Sequence, residues 1–160
     1  MGVNLANDNA LRDLAGQLQS ALTAAGPDGW QAAPLVPGAS ATGARAAVTN
    51  PADRRQVVGH WQAADSATVE KALANAVAAQ PGWNRTPAAS RAAILENAAD
   101  LLEARIATFM ALCVKEAGKS LPDSVAEVRE AVDFLRYYAK LAREQFGHAE
   151  KLPSPTGESN

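Results

Sequence analysis

The sequence contains very little cysteine and few aromatic side chains, and both scarcities exclude classes of protein. A single cysteine among 160 residues cannot form an intramolecular disulfide, so a disulfide-stabilised domain is excluded and we expect a reducing, cytoplasmic location. Phe, Trp and Tyr together make up only 5% of the chain. Small side chains, chiefly alanine, must therefore supply most of the apolar surface, which favours helices and close packing between them.

An excess of either charge is also missing, because 15 basic residues face 17 acidic ones. This balance provides no positive surface for nucleic acid, so we predict no nucleic-acid partner. No apolar run approaches the roughly 20 residues that a membrane-spanning helix needs. The N-terminal residues do not have the pattern of a secretory signal.

The first third of the chain predicts one helix and then irregular structure. Leucines spaced by three and four residues predict a helix that begins near Asp8 or Asn9 and stops at Gly26-Pro27. Glycine and proline then recur without the hydrophobic period of a helix or of a strand, which predicts a linker or extended arm over 26–45. Residues 46–49 and 56–62 predict a small β-hairpin with four or more residues between its strands.

The remaining residues predict further helices, whose ends are indicated by capping residues, prolines and glycines. One helix is capped by Asp65 or Ser66 and stops at Pro81-Gly82. The next starts at Thr86-Pro87, bends near Arg105 and ends at Gly118 as a left-handed cap, and the last runs from Ser120 to about Phe146. The residues 151–160 predict a loop. The fold class predicted from these patterns is mainly α with a small β-hairpin.

Few side chains offer catalytic chemistry. Cys113 lies on the same apolar stripe as Phe109 and Met110, which predicts a buried and inert thiol. His60 and His148 are distant in sequence and have no accompanying ligand spacing, so no metal site is predicted. The chain also lacks a glycine-rich phosphate-binding motif.

The last helix carries a regular row of charges. Its carboxylates recur every three residues, and two arginines lie within reach of Asp133; these residues are Glu127, Glu130, Asp133, Arg129 and Arg136. Their spacing favours a solvated face in which both arginines pair with Asp133. The alternative is that Glu130 receives the ammonium group of a ligand, beside an apolar wall supplied by Phe134.

Several short motifs occur in an order and at a spacing that resemble the N-terminal segment of the aldehyde dehydrogenase superfamily. They are Asn50-Pro51-Ala52, Trp83, Arg91-Ala92-Ala93-Ile94-Leu95, Glu116-Ala117-Gly118-Lys119 and Phe134-Leu135-Arg136-Tyr137-Tyr138-Ala139. Trp30-Gln31-Ala32-Ala33-Pro34 and the run 126–139 resemble more closely the L-glutamate γ-semialdehyde dehydrogenase module of the bifunctional proline utilization A family.

The resemblance implies the N-terminal part of an α/β domain with a Rossmann-like cofactor-binding fold. Residues 1–45 would form an N-terminal helix with a linker or arm. Residues 46–160 would form an incomplete portion of the aldehyde dehydrogenase domain. The implied reaction is the oxidation of L-glutamate γ-semialdehyde to L-glutamate with NAD, in proline catabolism.

The same resemblance implies which parts of the site this chain contains. In the family a cysteine attacks the aldehyde, hydride passes to a nicotinamide cofactor, and a glutamate activates water for hydrolysis of the thioester. None of these parts matches a position here, so we expect an inactive fragment that binds the remaining dehydrogenase module and can self-associate through an exposed apolar face. Only substrate binding carries over, because Glu130 matches the residue that meets the substrate's α-amino group, with Phe134 beside it. The alternative is a small helical protein-interaction module without catalytic activity.

Overall fold

The computed structural model describes residues 3–40, 42–148 and 155–156. Its elements in chain order are α1 (Asp8–Ala24), β1 (Trp30–Ala32), β2 (Arg45–Asn50), β3 (Asp53–Gln62), α2 (Ser66–Arg85), α3 (Ala88–Ala104), α4 (Ile106–Ala117) and α5 (Leu121–Phe146). The predicted fold class, mainly helical with a small sheet, is therefore confirmed. Most of the loop predicted over 151–160 lies outside the described residues.

The three strands form one mixed sheet in the order β1-β3-β2. β2 and β3 form the predicted antiparallel hairpin, but the predicted loop length was wrong, since only Pro51 and Ala52 separate the strands. The turn is tight because the Asn50 side chain accepts a hydrogen bond from the Ala52 N–H at 3.0 Å, a local bond typical of asparagine in turns.

A parallel strand replaces part of the predicted linker. Within the region 26–45, predicted as a linker or extended arm, Trp30–Ala32 pair with β3 as a strand. Two glycines permit this close approach: an ideal Cβ would lie 2.1 Å from the Val58 carbonyl oxygen at Gly29, and 2.1 Å from the Trp30 carbonyl oxygen at Gly59. A side chain at either position would therefore push β1 away from the sheet.

Two helix ends differ from their predicted positions. α1 is capped by Asn7 rather than by Asp8 or Asn9, because the Asn7 side chain accepts hydrogen bonds from the first free N–H groups of the helix. α2 continues through Pro81 to Arg85, although a proline inside a helix removes one backbone hydrogen bond. Its last turn is closed by Thr86, which donates its N–H to the Trp83 carbonyl and its hydroxyl to the Gly82 carbonyl.

The other helix boundaries follow their predicted signals. Asp65 caps α2 by accepting the Thr68 N–H at 2.7 Å. Arg105 interrupts the helical conformation and separates α3 from α4, where the bend was predicted. Ser120 caps α5 by accepting the Asp123 N–H. Hydrogen bonds between neighbouring residues therefore fix where α2 and α5 begin.

The core lies where helices approach one another closely. α3 and α5 pack through alanines that are almost fully buried: Ala92 and Ala99 on α3, and Ala139 on α5. The α1, α4 and α5 contact is centred on Leu14, Met110 and Val128. The small alanine side chains let the axes of α3 and α5 approach closely, as the alanine-rich composition predicts.

Gly118 connects the hairpin to the last two helices and provides a test of the local fold. It ends α4 with a φ of 67°, and an ideal Cβ there would lie 2.9 Å from the Pro51 Cγ. We expect Gly118→Ala to lower the free energy of unfolding by about 1–2 kcal/mol, because it adds both left-handed strain and a clash. Urea denaturation followed by circular dichroism measures this change.

Gly82→Ala is the matched control for that substitution. Gly82 lies inside α2, and an added Cβ would meet nothing within 4 Å. We expect this change to raise the free energy of unfolding by roughly 0.5–1 kcal/mol. Equal effects of the two alanines would mean that Gly118 is not held in the left-handed conformation.

Candidate functional site

The site predicted from the sequence lies on α5, whose orientation is fixed by its buried side. Ser124, Val128, Val132 and Ala139 are buried against the rest of the fold. A helix turns through about 100° per residue, which places Glu130 on the side of α5 that faces away from these four residues. Glu130 is exposed, as this geometry requires.

An aromatic cluster lies beside Glu130 on the same outward side. Phe134 follows Glu130 by one helical turn and is 50% exposed. Its ring stacks on Tyr138 with centroids 6.0 Å apart, and Tyr138 meets Tyr137 edge to face at 5.3 Å. The face therefore combines a carboxylate with a preformed apolar wall, and the expected pairing of Glu130 with Phe134 is geometrically available.

The neighbouring carboxylates of α5 are neutralised by partners. Glu127 accepts a hydrogen bond from the Lys119 ammonium at 2.5 Å, which raises the pKa of Lys119. Asp133 pairs with Arg129 at 3.4 Å, as predicted. Among the described residues, no hydrogen bond or ion pair to the Glu130 carboxylate is present, so its charge is available to a ligand.

The prediction that Arg136 pairs with Asp133 was wrong. Arg136 instead donates to Asp100 at 2.9 Å and to Glu103 at 2.6 Å on α3. The helix contact through small alanines brings α3 within reach of the arginine, and two carboxylates attract it more strongly than one. The Arg136 guanidinium holds the pKa of Glu103 at about 2, well below its usual value.

A second arginine fastens the same pair of helices. Arg143 donates to both carboxylate oxygens of Glu96, at 2.5 and 2.7 Å. Such two-point contacts fix direction as well as distance. Together with the Arg136 contacts they hold α5 at one rotation on α3, and this rotation determines that Glu130 and Phe134 point outward.

The ion pairs of Arg136 and Arg143 join two helices, so the spacing of charges within one helix could not predict them. The only available signal was that acidic residues recur on α3 and basic residues on α5, in antiparallel order. Once the two helices are known to pack, this order predicts the pairing. Without that knowledge, an arginine three residues from Asp133 is assigned to the nearer partner.

Cys113 does not have the surroundings of a catalytic thiol. It is partly buried, and burial together with the nearby Glu127 charge raises its pKa. A nucleophilic cysteine needs the opposite shift, toward the thiolate. The prediction of a buried thiol is therefore met only in part, and its inertness stays a prediction.

Neither a cluster of metal ligands nor a free helix N-terminus after a strand is found among the described residues. No cluster of three metal-ligating side chains occurs among them. Within the same residues only β3 leads into a helix, and the Asp65 carboxylate occupies the N-terminus of that helix, where a phosphate would have to bind. None of the described helices is long and apolar enough to cross a membrane.

Comparison with known proteins identifies the family. The sequence model of the aldehyde dehydrogenase family matches residues 38–160. The chain is 42% identical over 153 residues to the "Bifunctional protein PutA" of Klebsiella aerogenes, covering 95% of this chain and 11% of that protein. It is 38% identical over 119 residues to "1-pyrroline-5-carboxylate dehydrogenase 2" of Bacillus subtilis, covering 74% of this chain and 23% of that protein.

The fold is similar to that of a solved enzyme. A 1-pyrroline-5-carboxylate dehydrogenase from Thermus, solved with bound NAD, superposes with a TM-score of 0.79 at 30% identity, over 93% of this chain and 29% of that one. The chain thus spans about a tenth of the curated PutA and under a third of the solved dehydrogenase. The chain belongs to the aldehyde dehydrogenase family.

Proposed function

We propose that this chain supplies the substrate-recognising helix of a dehydrogenase that oxidises L-glutamate γ-semialdehyde to L-glutamate. The reaction is proposed by analogy with relatives named PutA and 1-pyrroline-5-carboxylate dehydrogenase. 1-Pyrroline-5-carboxylate is the cyclic imine that hydrolyses to this semialdehyde, so the two names describe one substrate pool. The rival role of a protein-interaction module receives no support from these relatives.

The observation that supports the proposal is the state of Glu130. Its carboxylate is exposed and, among the described residues, has no cationic partner, whereas Glu127 and Asp133 on the same helix are paired. The substrate carries an α-ammonium group, which a carboxylate binds through a charge-assisted hydrogen bond. Phe134 would lie along the substrate's methylene chain and exclude water from this contact.

The reactive parts of the site belong, in this proposal, to the remaining part of the dehydrogenase. That part would contribute the nucleophilic thiol and hold NAD, the oxidant that accepts the hydride. The present chain binds and orients the amino end of the substrate. The cytoplasmic location predicted from the single cysteine stays a prediction.

Substrate preference tests this proposal in a completed dehydrogenase. Here this means the chain joined to the part of the Bacillus subtilis relative that it does not match. We expect kcat/KM, followed as NADH formation, to be about 10- to 100-fold higher for L-glutamate γ-semialdehyde than for butanal, since a charged hydrogen bond contributes roughly 1.5–3 kcal/mol. Equal values for the two aldehydes would contradict the proposed role.

A further inference from the structure

The helix α2 is almost unpartnered in the structure. Thr68 is its only buried residue, and no other described element packs extensively against it. Contacts near its first half anchor it: Asp65 accepts the Thr42 hydroxyl, and the Asn75 side chain donates to the Pro37 carbonyl at 2.9 Å. The second half of α2 extends from these contacts into solvent.

The composition of this exposed helix is not that of a solvated one. Val69, Leu73 and Val77 follow one another at four-residue spacing and are 47%, 58% and 75% exposed. Residues 72–84 contain no charged side chain, and every residue from 76 to 85 is exposed. A helix that lacks a charged face is normally buried on more than one side.

We propose that α2 is a docking surface for the remaining part of the same aldehyde dehydrogenase domain. The remaining part of the domain is large enough to cover α2. The solved Thermus relative superposes on 93% of this chain, and yet this chain covers only 29% of that relative. α2 lies inside the family match over residues 38–160, so it is part of the aldehyde dehydrogenase domain rather than an appendage. The proposal rests on the proposed function only in its choice of partner.

A second copy of this chain is the competing occupant. A two-fold dimer would cover one stripe of α2, because each copy offers the same single surface to the other. The uncharged residues of 72–84 lie on all sides of the helix, and one stripe would leave most of them in water. The larger remainder of the domain can enclose α2 from several sides.

Hydrogen–deuterium exchange of α2 tests the proposal without using turnover. We expect the amides of α2 to exchange at least about tenfold more slowly in the completed dehydrogenase than in the isolated chain, because burial suppresses local opening. Amides at the α3–α5 contact serve as the reference, since both helices are packed in either state. Unchanged exchange of α2 would overturn the proposal, and so would protection that appears in the isolated chain as its concentration rises.

Two substitutions sharpen this measurement. Leu73→Glu places a charge in the middle of the proposed surface, and we expect it to remove most of the protection that α2 gains on completion. Leu35→Glu is the matched control, because Leu35 is 96% exposed and outside α2, and it should leave that protection unchanged. Equal behaviour of the two variants would contradict the docking surface, whereas loss of substrate preference with α2 protection intact would count only against the function proposed for Glu130.

Discussion

Replacement of Glu130 by glutamine is expected to raise the KM for L-glutamate γ-semialdehyde by about 10- to 100-fold in the completed dehydrogenase. The amide keeps the size of the side chain and removes its charge, so the loss reports the contact with the substrate's ammonium group. Glu130 has no cationic partner among the described residues, and its replacement therefore breaks no ion pair of the fold. Steady-state NADH formation over a range of aldehyde concentrations measures the change.

Two comparisons separate this role from a general effect on α5. Butanal has no ammonium group, so its KM should be the same in the variant and in the unaltered protein. Glu144→Gln changes a carboxylate on the same helix that is paired with Lys140 at 3.6 Å, and we expect it to leave both constants unchanged. An equal rise in KM for both aldehydes would remove the role assigned to Glu130.

Replacement of Met110 by alanine is expected to lower the free energy of unfolding of the isolated chain by about 2–5 kcal/mol. Met110 on α4 is fully buried in a cluster with Leu14 of α1 and Val128 of α5, so the shorter side chain leaves a cavity. The loss is a large share of the roughly 5–15 kcal/mol that stabilises an ordinary domain. Urea denaturation followed by circular dichroism gives the free energy.

The control for this variant is Leu101→Ala. Leu101 lies on α3 and is 65% exposed, so its truncation removes little buried surface and should change the free energy of unfolding by no more than about 0.5 kcal/mol. If Met110→Ala were as mild as this control, the packing of α1 and α4 onto α5 would be absent in solution.

Features decided by neighbouring residues could be predicted from the sequence. Gly118 ends α4 in the left-handed conformation and Ser120 caps α5, as their residue types indicate. Features decided by distant residues could not. β1 needs a parallel partner far along the chain and two glycines that let it approach, and no period in residues 26–45 carries that information.

The same distinction holds in the candidate site: contacts within α5 could be predicted from the sequence, and contacts between α5 and α3 could not. The spacing of charges on α5 predicted an exposed, salt-bridged face, and the Arg129 contact with Asp133 confirms that part. Arg136 was assigned to the wrong carboxylate because its actual partners, Asp100 and Glu103, belong to another helix. Spacing alone did not distinguish Glu130 from its neighbours, and its proposed role depends on the family resemblance and on its lack of a partner.

NADH formation by the chain alone, and by the completed dehydrogenase carrying Cys113→Ala, tests the central claim most directly. The claim is that this chain recognises the substrate while another part of the dehydrogenase supplies the thiol and binds NAD. We predict no turnover by the chain alone and undiminished turnover by the completed Cys113→Ala variant, since Cys113 is partly buried with a raised pKa. Turnover by the chain alone, or its loss in the completed variant, would contradict the claim.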